Sequence, residues 1–342
     1  MKQEQVNWKR THLSEKRVSM KRRADTHDYT ERRMYMITIE VEGRRSVFGH
    51  IEGNLDAPKE SLMAPHIVLS PLGKVVQDEW LGISKYYPQI EVMAIQMMPD
   101  HLHGILFVKD RLPVHLGKVI SGFKAGCRKA MRTVAQLTSA ENPSQLVTAL
   151  PTSDSNYKPL FARGYNDLIL RSYEELGNWK NYLQENPRRL MMKRSNPEFL
   201  RPFWGLQIGD FTFNGIGNRA LLQAPRRLAV RISRRLVGEE LERTVLQFIN
   251  EARQGAVLVS PAISPGEKRI MREAFDAGLP TIVIVENGFT QLSKPRGEQF
   301  YACSEGRLLM LSAWEHHNEK RKITAYQCVQ MNLMALAVSN KR

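Results

Sequence analysis

Two histidines, His101 and His103, stand one residue apart at the head of an apolar stretch that is typical of a strand. Side chains two positions apart on a strand point to the same face, so both imidazoles can reach one metal ion. A pair of this kind also occurs as a plain polar strand end beside a turn. A second segment must therefore supply the rest of a catalytic centre.

A later segment predicts a helix that begins after Ser172 and ends at Pro187. Ser172 can cap the first turn while Glu175 reaches back to the cap amide, and a proline stops continuation. Its apolar residues recur at helical spacing and should pack on a sheet: Leu176, Trp179 and Leu183. Tyr182 and Asn186 lie one turn apart at the edge of that face, so a phenol and an amide project together.

The two segments together resemble the single-tyrosine HUH transposases. The stretch 101–103 is similar to the His-hydrophobic-His strand of that superfamily. Tyr182, followed by Asn186 and Pro187, is similar to the tyrosine helix of its REP-associated tyrosine transposase branch, and 163–171 resembles the segment that precedes this helix. The specificity of the resemblance lies in the ordered combination of these motifs.

This resemblance covers roughly residues 35–193 and implies a metal-dependent single-stranded DNA endonuclease and strand transferase. Tyr182 would attack a phosphodiester and form a 5′-phosphotyrosine, while His101, His103 and the amide oxygen of Asn186 would hold a divalent ion. Three neutral ligands with open positions suit Mg2+ or Mn2+ better than a structural zinc. With one nucleophile per chain, two strands need two subunits, so the resemblance also implies a homodimer.

Two other tyrosines compete with Tyr182 for the role of nucleophile. Tyr173 lies in the first helical turn, on the side of the helix opposite Tyr182, and Tyr165 precedes the helix in a loop. Neither has an asparagine four residues later. Tyr182 is therefore the predicted nucleophile.

The charge balance favours a nucleic-acid partner. Fifty Lys and Arg against 35 Asp and Glu give a formal net charge of +15, which attracts polyphosphates and makes binding fall with salt. A solvated charged face is the usual alternative. The cations predicted to contact DNA follow the histidine strand, flank the tyrosine helix or lie in the C-terminal part: Lys124, Arg128, Lys129, Arg163, Arg171, Arg188, Arg189, Lys193, Arg194, Arg226 and Arg227.

The patterns predict three parts: a basic flexible arm at 1–34, the HUH domain at 35–200 with a flexible loop at 136–158, and a smaller domain at 201–342. The middle part is predicted to be an α+β ferredoxin-like domain, one antiparallel sheet with helices on one face. Its predicted elements are a hairpin at 35–51, a helix at 65–86, strands at 91–98 and 101–108, and a helix at 114–134.

The C-terminal part predicts alternating strands and helices. Its strands at 256–260 and 281–285 are continuous apolar runs, which are typical of strands buried on both faces. They predict a Rossmann-like α/β domain, which weakly resembles DprA-like domains. The loop at 260–267 lies between a strand and a helix, where amides can bind a phosphate; an ordinary connection is the alternative.

The three cysteines are widely spaced, which disfavours a disulfide framework or a cysteine metal site and fits a reducing compartment. The polar N-terminus predicts neither a secretory signal nor a membrane span. We expect a cytoplasmic, nucleoid-associated bacterial protein that binds single-stranded or hairpin DNA and no membrane. The alternative function is a repeat-recognition or regulatory DNA-binding protein with a vestigial catalytic centre.

Overall fold

The computed structural model describes residues 26–139, 159–319 and 321–340, with the backbone alone for 132–139. The described chain divides into two compact units, of which the first ends at Met191 and the second begins at Met192. Among the described helices, none combines the length and the apolar character needed to cross a bilayer.

The first unit contains a four-stranded antiparallel sheet in the order β4-β5-β1-β6 and a separate two-stranded sheet of β2 and β3. The antiparallel sheet and the pairing of β4 with β5 confirm the prediction from the residue pattern. The elements of this unit, in chain order, are β1 (Arg33–Glu40), β2 (Gly49–Glu52), β3 (His66–Leu69), α1 (Pro71–Leu81), α2 (Ile83–Tyr86), β4 (Ile90–Met98), β5 (His101–Val108), α3 (Leu116–Ser139), β6 (Asn166–Leu170) and α4 (Tyr173–Ser195).

One face of the four-stranded sheet packs against α1 and α3. Alternate residues of β1, Tyr35 and Ile37 among them, enter a core that also holds Trp80 of α1 and Ile120 and Phe123 of α3. Burial of these large side chains is the main driving force for this half of the unit. The two helices therefore form one layer behind the sheet.

The other face of the same sheet packs against α4. Met34 and Met36 of β1 point to this side and contact Leu176 and Leu183 of α4. The expectation that the tyrosine helix packs on a sheet is thus confirmed. The prediction that helices cover only one face of this sheet is wrong. The reason is that β1 is apolar on both faces, so both faces need a cover.

Three local predictions for this unit are wrong. The hairpin at 35–51 does not form, because β1 pairs with β5 and β6 while β2 pairs with β3. The helix predicted from residue 65 begins at Pro71, where the Ser70 hydroxyl caps it by accepting from the Gly73 amide. Pro187 does not end α4, which continues to Ser195, since packing on both sides of the proline overrides its local cost.

The predicted arm and loop lie mostly outside the described residues. Of the arm at 1–34, residues 26–34 are described, and β1 already begins at Arg33. Of the loop at 136–158, residues 136–139 continue α3, so the loop prediction is wrong there. Strand β6, between that loop and α4, is an element for which the pattern supplied no prediction.

The second unit contains a mixed six-stranded sheet in the order β7-β8-β12-β11-β10-β9, in which β9 to β12 are parallel and β8 runs antiparallel to β12. Its elements are β7 (Phe203–Ile208), β8 (Phe211–Gly217), β9 (Arg227–Ala229), α5 (Gly238–Arg253), β10 (Val257–Ser260), α6 (Pro265–Asp276), β11 (Thr281–Ile284), α7 (Glu298–Ser304), β12 (Leu308–Ser312) and α8 (Ala325–Val338).

Helices cover both faces of this second sheet. Helices α5 and α6 pack with Leu258 of β10, whereas α8 packs with Val257 and Val259 of the same strand. The parallel α/β pattern predicted for the C-terminal part is confirmed. The β7-β8 hairpin and helices α7 and α8 were not predicted.

Candidate functional site

The sheet face beneath α4 changes from apolar to polar toward one end of β1 and β5. In the antiparallel register Thr38 lies opposite His103, and Glu40 lies opposite His101. Thr38 and Glu40 share the face of Met36, because residues two apart on a strand point the same way. The two histidines therefore lie on the α4 side of the sheet, as their spacing predicts.

The two imidazoles face each other through their Nε2 atoms, which are 3.1 Å apart. Each ring is held from behind through Nδ1. His101 Nδ1 lies 2.6 Å from the Asp100 carboxylate, and His103 Nδ1 lies 2.8 Å from the Thr38 hydroxyl. That hydroxyl is placed to donate to the sulfur of Met36 at 3.9 Å, which leaves its oxygen free to accept from His103.

These contacts favour the tautomer in which both rings carry their proton on Nδ1. Both Nε2 lone pairs then point to one position, an arrangement that needs a cation or a proton between them. Two nitrogen ligands about 2.1 Å from one ion and at right angles to each other lie about 3.0 Å apart. The observed separation of His101 and His103 fits a shared metal ion.

The surroundings keep His103 neutral. Burial, assisted by the neighbouring His101 and Arg44, lowers the pKa of His103 to about 3. At Asp100 burial acts to raise the pKa, but the hydrogen bond from His101 and the nearby Arg44 guanidinium outweigh it and hold the pKa below its usual range. Histidine binds metals as the neutral imidazole, which is the state of His103 here.

Tyr182 is the tyrosine of α4 that lies beside the histidines. Its ring centre is 6.4 Å from that of His103, and the side chain is 40% exposed. Trp179 packs edge-on against it at 5.2 Å, and the guanidinium carbon of Arg189 lies 5.8 Å from the ring centre. The phenol is thus accessible, held by an aromatic neighbour and close to a cation.

Asn186 is buried one turn after Tyr182. The residue is 8% exposed, and its Nδ2 atom has no hydrogen-bond partner among the described residues. Leaving a buried amide unpaired costs on the order of 1–3 kcal/mol. Such a group is a candidate ligand for something that binds at the site, and rotation of the amide by 180° would present its oxygen instead.

The two competing tyrosines occupy other places. Tyr165 is buried in the core on the α1 and α3 side of the sheet. Tyr173 is 69% exposed in the first turn of α4. Tyr182 is the one of the three that has an aromatic contact with a histidine of the pair.

Their place after the histidine strand suggested that the cations of α3 flank the histidines, but they do not. Helix α3 packs on the opposite face of the sheet, and Arg128 and Lys129 are exposed there. The Lys124 amine donates to the carbonyls of Ala162 and Gly164. Burial, assisted by Arg128, lowers the pKa of Lys124 to about 8. Lys124 thus joins α3 to the segment that precedes β6. Contact of Arg128 and Lys129 with DNA remains a prediction.

The cations around α4 fall into two groups. Arg163 and Arg171 are exposed in the first unit. At the end of α4, which belongs to the second unit, Arg194 is exposed and Lys193 lies over the Phe300 ring. Arg188 instead donates to backbone carbonyls of the β2–β3 loop.

Two arginines of the second unit, assigned to DNA from the sequence, make internal contacts. Arg226 pairs with Glu251. Arg227 donates to the carbonyls of Leu222, Ala224 and Val338, which ties β9 to the end of α8. A guanidinium that meets three carbonyls is occupied as a structural donor.

The loop at 260–267 does not offer the expected free amides. The Glu267 carboxylate accepts from the amides of Ile263 at 2.8 Å and Ser264 at 3.1 Å, and the Ser264 hydroxyl caps α6 in return. This capping box is buried. The chain's own carboxylate therefore fills the place proposed for a phosphate, so that expectation is corrected.

Comparison with known proteins finds distant relatives. No protein-family model matches the chain. An uncharacterized protein of Haemophilus influenzae is 24% identical over 181 residues, which span 47% of this chain and 83% of that protein.

Solved structures with distant likeness fall into two groups. A REP-associated tyrosine transposase bound to a REP hairpin has a TM-score of 0.32 and 12% identity, covering 48% of this chain and 72% of that one. DNA processing protein A from Helicobacter pylori has a TM-score of 0.31 and 18% identity, covering 42% of this chain and 68% of that one. At these scores the likenesses define neither the chemistry nor the ligand of this chain.

Asp100, beside His101, is one contributor to this site that sequence reasoning missed, and Thr38 is another. Its strand alternates as Met34, Met36, Thr38 and Glu40, so the change from apolar to polar on one face is visible in the sequence. The pairing of Thr38 with His103 is not, because it depends on the register of two strands far apart in the chain.

Proposed function

We propose that the first unit is a ferredoxin-like HUH domain that cuts and rejoins single-stranded DNA through a covalent 5′-phosphotyrosine. The observation that carries this proposal is the meeting of two histidines on one strand with an accessible tyrosine on the helix that covers them. A nucleophile next to groups that can neutralise charge on a phosphate is what phosphodiester cleavage requires.

The proposed nucleophile is the phenol oxygen of Tyr182. It attacks the phosphorus, the bond from phosphorus to the 3′ oxygen breaks, and the phosphate stays on the 5′ side as a tyrosyl ester. The proton lost by the phenol is matched by the proton that the leaving 3′ oxygen gains as it becomes a hydroxyl. The ester bond is conserved, so a second 3′ hydroxyl can reverse the step and join a new strand.

His101, His103 and Asn186 are the residues that would hold a divalent cation, Mg2+ or Mn2+. The spacing of the two Nε2 atoms and the buried, unpartnered amide of Asn186 fit this role. When bound, such an ion would polarise a non-bridging phosphate oxygen. Within the part of the chain that the structure describes, no cluster of three His, Cys, Asp or Glu side chains offers a different metal site.

The remaining groups around Tyr182 have roles that follow from their positions. The guanidinium of Arg189, close to the ring, is placed to stabilise the negative charge of the phosphate. Trp179 packs edge-on against the ring and restricts it. We propose that the partner is single-stranded or hairpin DNA and that two copies of the chain act on two strands.

The test is the capture of the covalent intermediate. A pool of labelled hairpin oligonucleotides with randomised single-stranded flanks is incubated with the protein and Mg2+ or Mn2+, and adducts that survive denaturation are counted. We expect an adduct that Tyr182→Phe reduces about 1,000-fold or more, while DNA binding persists. Binding without any adduct in the unaltered protein would favour the alternative, a DNA-binding protein whose centre is vestigial.

A further inference from the structure

Helix α4 is tied to the loop between β2 and β3 by two neighbouring side chains. The Arg188 guanidinium donates to the carbonyl oxygens of Leu55 and Ala57, at 2.6 Å for Ala57. Glu185, one turn earlier, pairs with Lys59 at 2.6 Å. These contacts join parts of the chain that are 131 and 133 residues apart.

Strands β2 and β3 form the hairpin that carries this loop, and the base of this hairpin is fixed beside the histidines. The amide of Phe48, just before β2, donates to the carbonyl of Pro99, in the turn that leads into His101. Ser70, just after β3, donates its amide to the carbonyl of Phe48 and its hydroxyl to the carbonyl of Val47. The hairpin therefore begins beside the Pro99–Asp100 turn and contacts α4 within the two helical turns that follow Tyr182.

The contact falls where α4 is weakest. Pro187 has no amide hydrogen, so the bond to the carbonyl four residues earlier, at Leu183, is missing. Asn186 and Tyr182 lie on the turn just before this gap. A brace on the next residue, Arg188, compensates for the missing bond by holding the helix from outside.

We propose that Arg188 is a positioning residue for Tyr182: it braces α4 on the β2–β3 loop of its own chain, so that tyrosine and histidines of one chain form one centre. The inference rests on the proposed function for its catalytic consequence. The brace itself is a structural claim that can be tested without DNA. Its guanidinium already meets two carbonyls, which leaves it poorly placed to act as a phosphate contact.

The discriminating substitution is Arg188→Lys, which keeps the charge but cannot bridge two carbonyls in the same way. We expect its affinity for the hairpin pool, and the salt dependence of that affinity, to stay within about twofold. The rate of adduct formation at saturating DNA should fall about tenfold or more, because small misplacements of a reacting group are costly. Arg188→Ala should show a larger loss of rate, and Lys180→Ala, which removes a cation from the same helix, should not.

Hydrogen exchange of residues 53–64, measured without DNA, tests the brace directly. We expect faster exchange in both Arg188 variants than in Lys180→Ala. If Arg188→Ala fails to fold, Lys59→Ala serves in its place: it removes the ion pair with Glu185 from an exposed position and should give a smaller increase in the exchange rate. Unchanged exchange in the variants would overturn the brace whatever the chemistry proves to be.

Two further results would overturn the proposal. One is weaker binding with a shallower salt slope and an unchanged rate at saturation in Arg188→Lys, which is the behaviour of a phosphate contact. The other is recovery of adduct formation when Tyr182→Phe and His103→Ala proteins are mixed, which would show that α4 docks on a partner copy. A protein that forms no adduct at all would defeat the proposed function, while the exchange result would still decide the brace.

Discussion

Each of the two units has polar side chains near the end of a strand and on the helix next to it, and the two clusters are built in opposite ways. In the second unit Glu267 and Ser264 satisfy each other and the loop amides, so the cluster is complete. In the first unit the Nε2 atoms of His101 and His103 face each other, and the Nδ2 atom of Asn186 has no partner in the described residues. This cluster is incomplete without something added.

The difference separates structural polar groups from functional ones. Buried polar atoms in folded proteins nearly always find partners, and those that do not call for an explanation. A closed cluster such as the capping box stabilises its helix and needs nothing more. An open cluster reduces stability, and it persists where a ligand completes it. Charge and sequence position alone would have ranked the two clusters alike.

After Tyr182→Phe, the largest expected effect on adduct formation is at the histidine pair. His103→Ala or His101→Ala removes one of few candidate ligands, so adduct formation should fall about 100-fold or more at a fixed Mn2+ concentration. Titration of Mn2+ against the rate should show a weaker apparent affinity for the metal. Hairpin DNA should still bind. A variant with unchanged rate and unchanged metal response would place the chemistry elsewhere.

The next prediction compares one substitution in each of the two clusters. Asn186→Leu removes an unpaired buried amide, so the free energy of unfolding should stay the same or rise, while adduct formation falls, though by less than in the histidine variants. Glu267→Gln leaves loop amides with a poorer acceptor, so the free energy of unfolding should fall by about 1–3 kcal/mol while adduct formation persists. Urea unfolding and the adduct assay, run on both variants, give the four values. The same response from both would remove the distinction between the clusters.

A smaller effect is expected at Thr38, which acts through His103. Thr38→Val keeps the shape and removes the oxygen that holds Nδ1, so the ring is less restrained. Loss of such an outer partner typically costs about 10- to 100-fold in metal affinity or activity. The affinity for Mn2+ should weaken, and excess Mn2+ should restore much of the rate. Thr38→Ser, which keeps the hydroxyl, should behave like the unaltered protein.

The sequence predicted those parts of this site that depend on local periodicity. The shared face of His101 and His103 follows from the two-residue repeat of a strand, and the projection of Tyr182 with Asn186 follows from the helical repeat. Strands β10 and β11 also lie where the apolar runs at 256–260 and 281–285 predict them. In each case one element carries the information.

The parts that could not be predicted depend on pairing between distant segments. Strand β1 was expected to pair with its neighbour in sequence, but its two apolar faces place it in the middle of the sheet. The charges of Lys124, Arg188 and Arg227 were visible, but the carbonyls that meet them come from other parts of the fold. Residue type therefore identified cations without showing which of them are occupied.

The last and smallest effect concerns the second unit, where the same distinction applies to arginines. Arg231, Arg234 and Arg235 are exposed in the connection between β9 and α5, whereas Arg226 and Arg227 are bound internally. If this surface tracks DNA, replacing the three exposed arginines by alanine should lower the slope of log affinity against log salt by about three, since each phosphate contact contributes nearly one. Arg227→Ala should leave that slope unchanged and reduce the free energy of unfolding, because it frees the end of α8. Fluorescence anisotropy of one labelled hairpin at several salt concentrations supplies the slopes. Equal slopes for the triple variant and the unaltered protein would restrict DNA contact to the first unit and leave the exposed arginines as a solvated face.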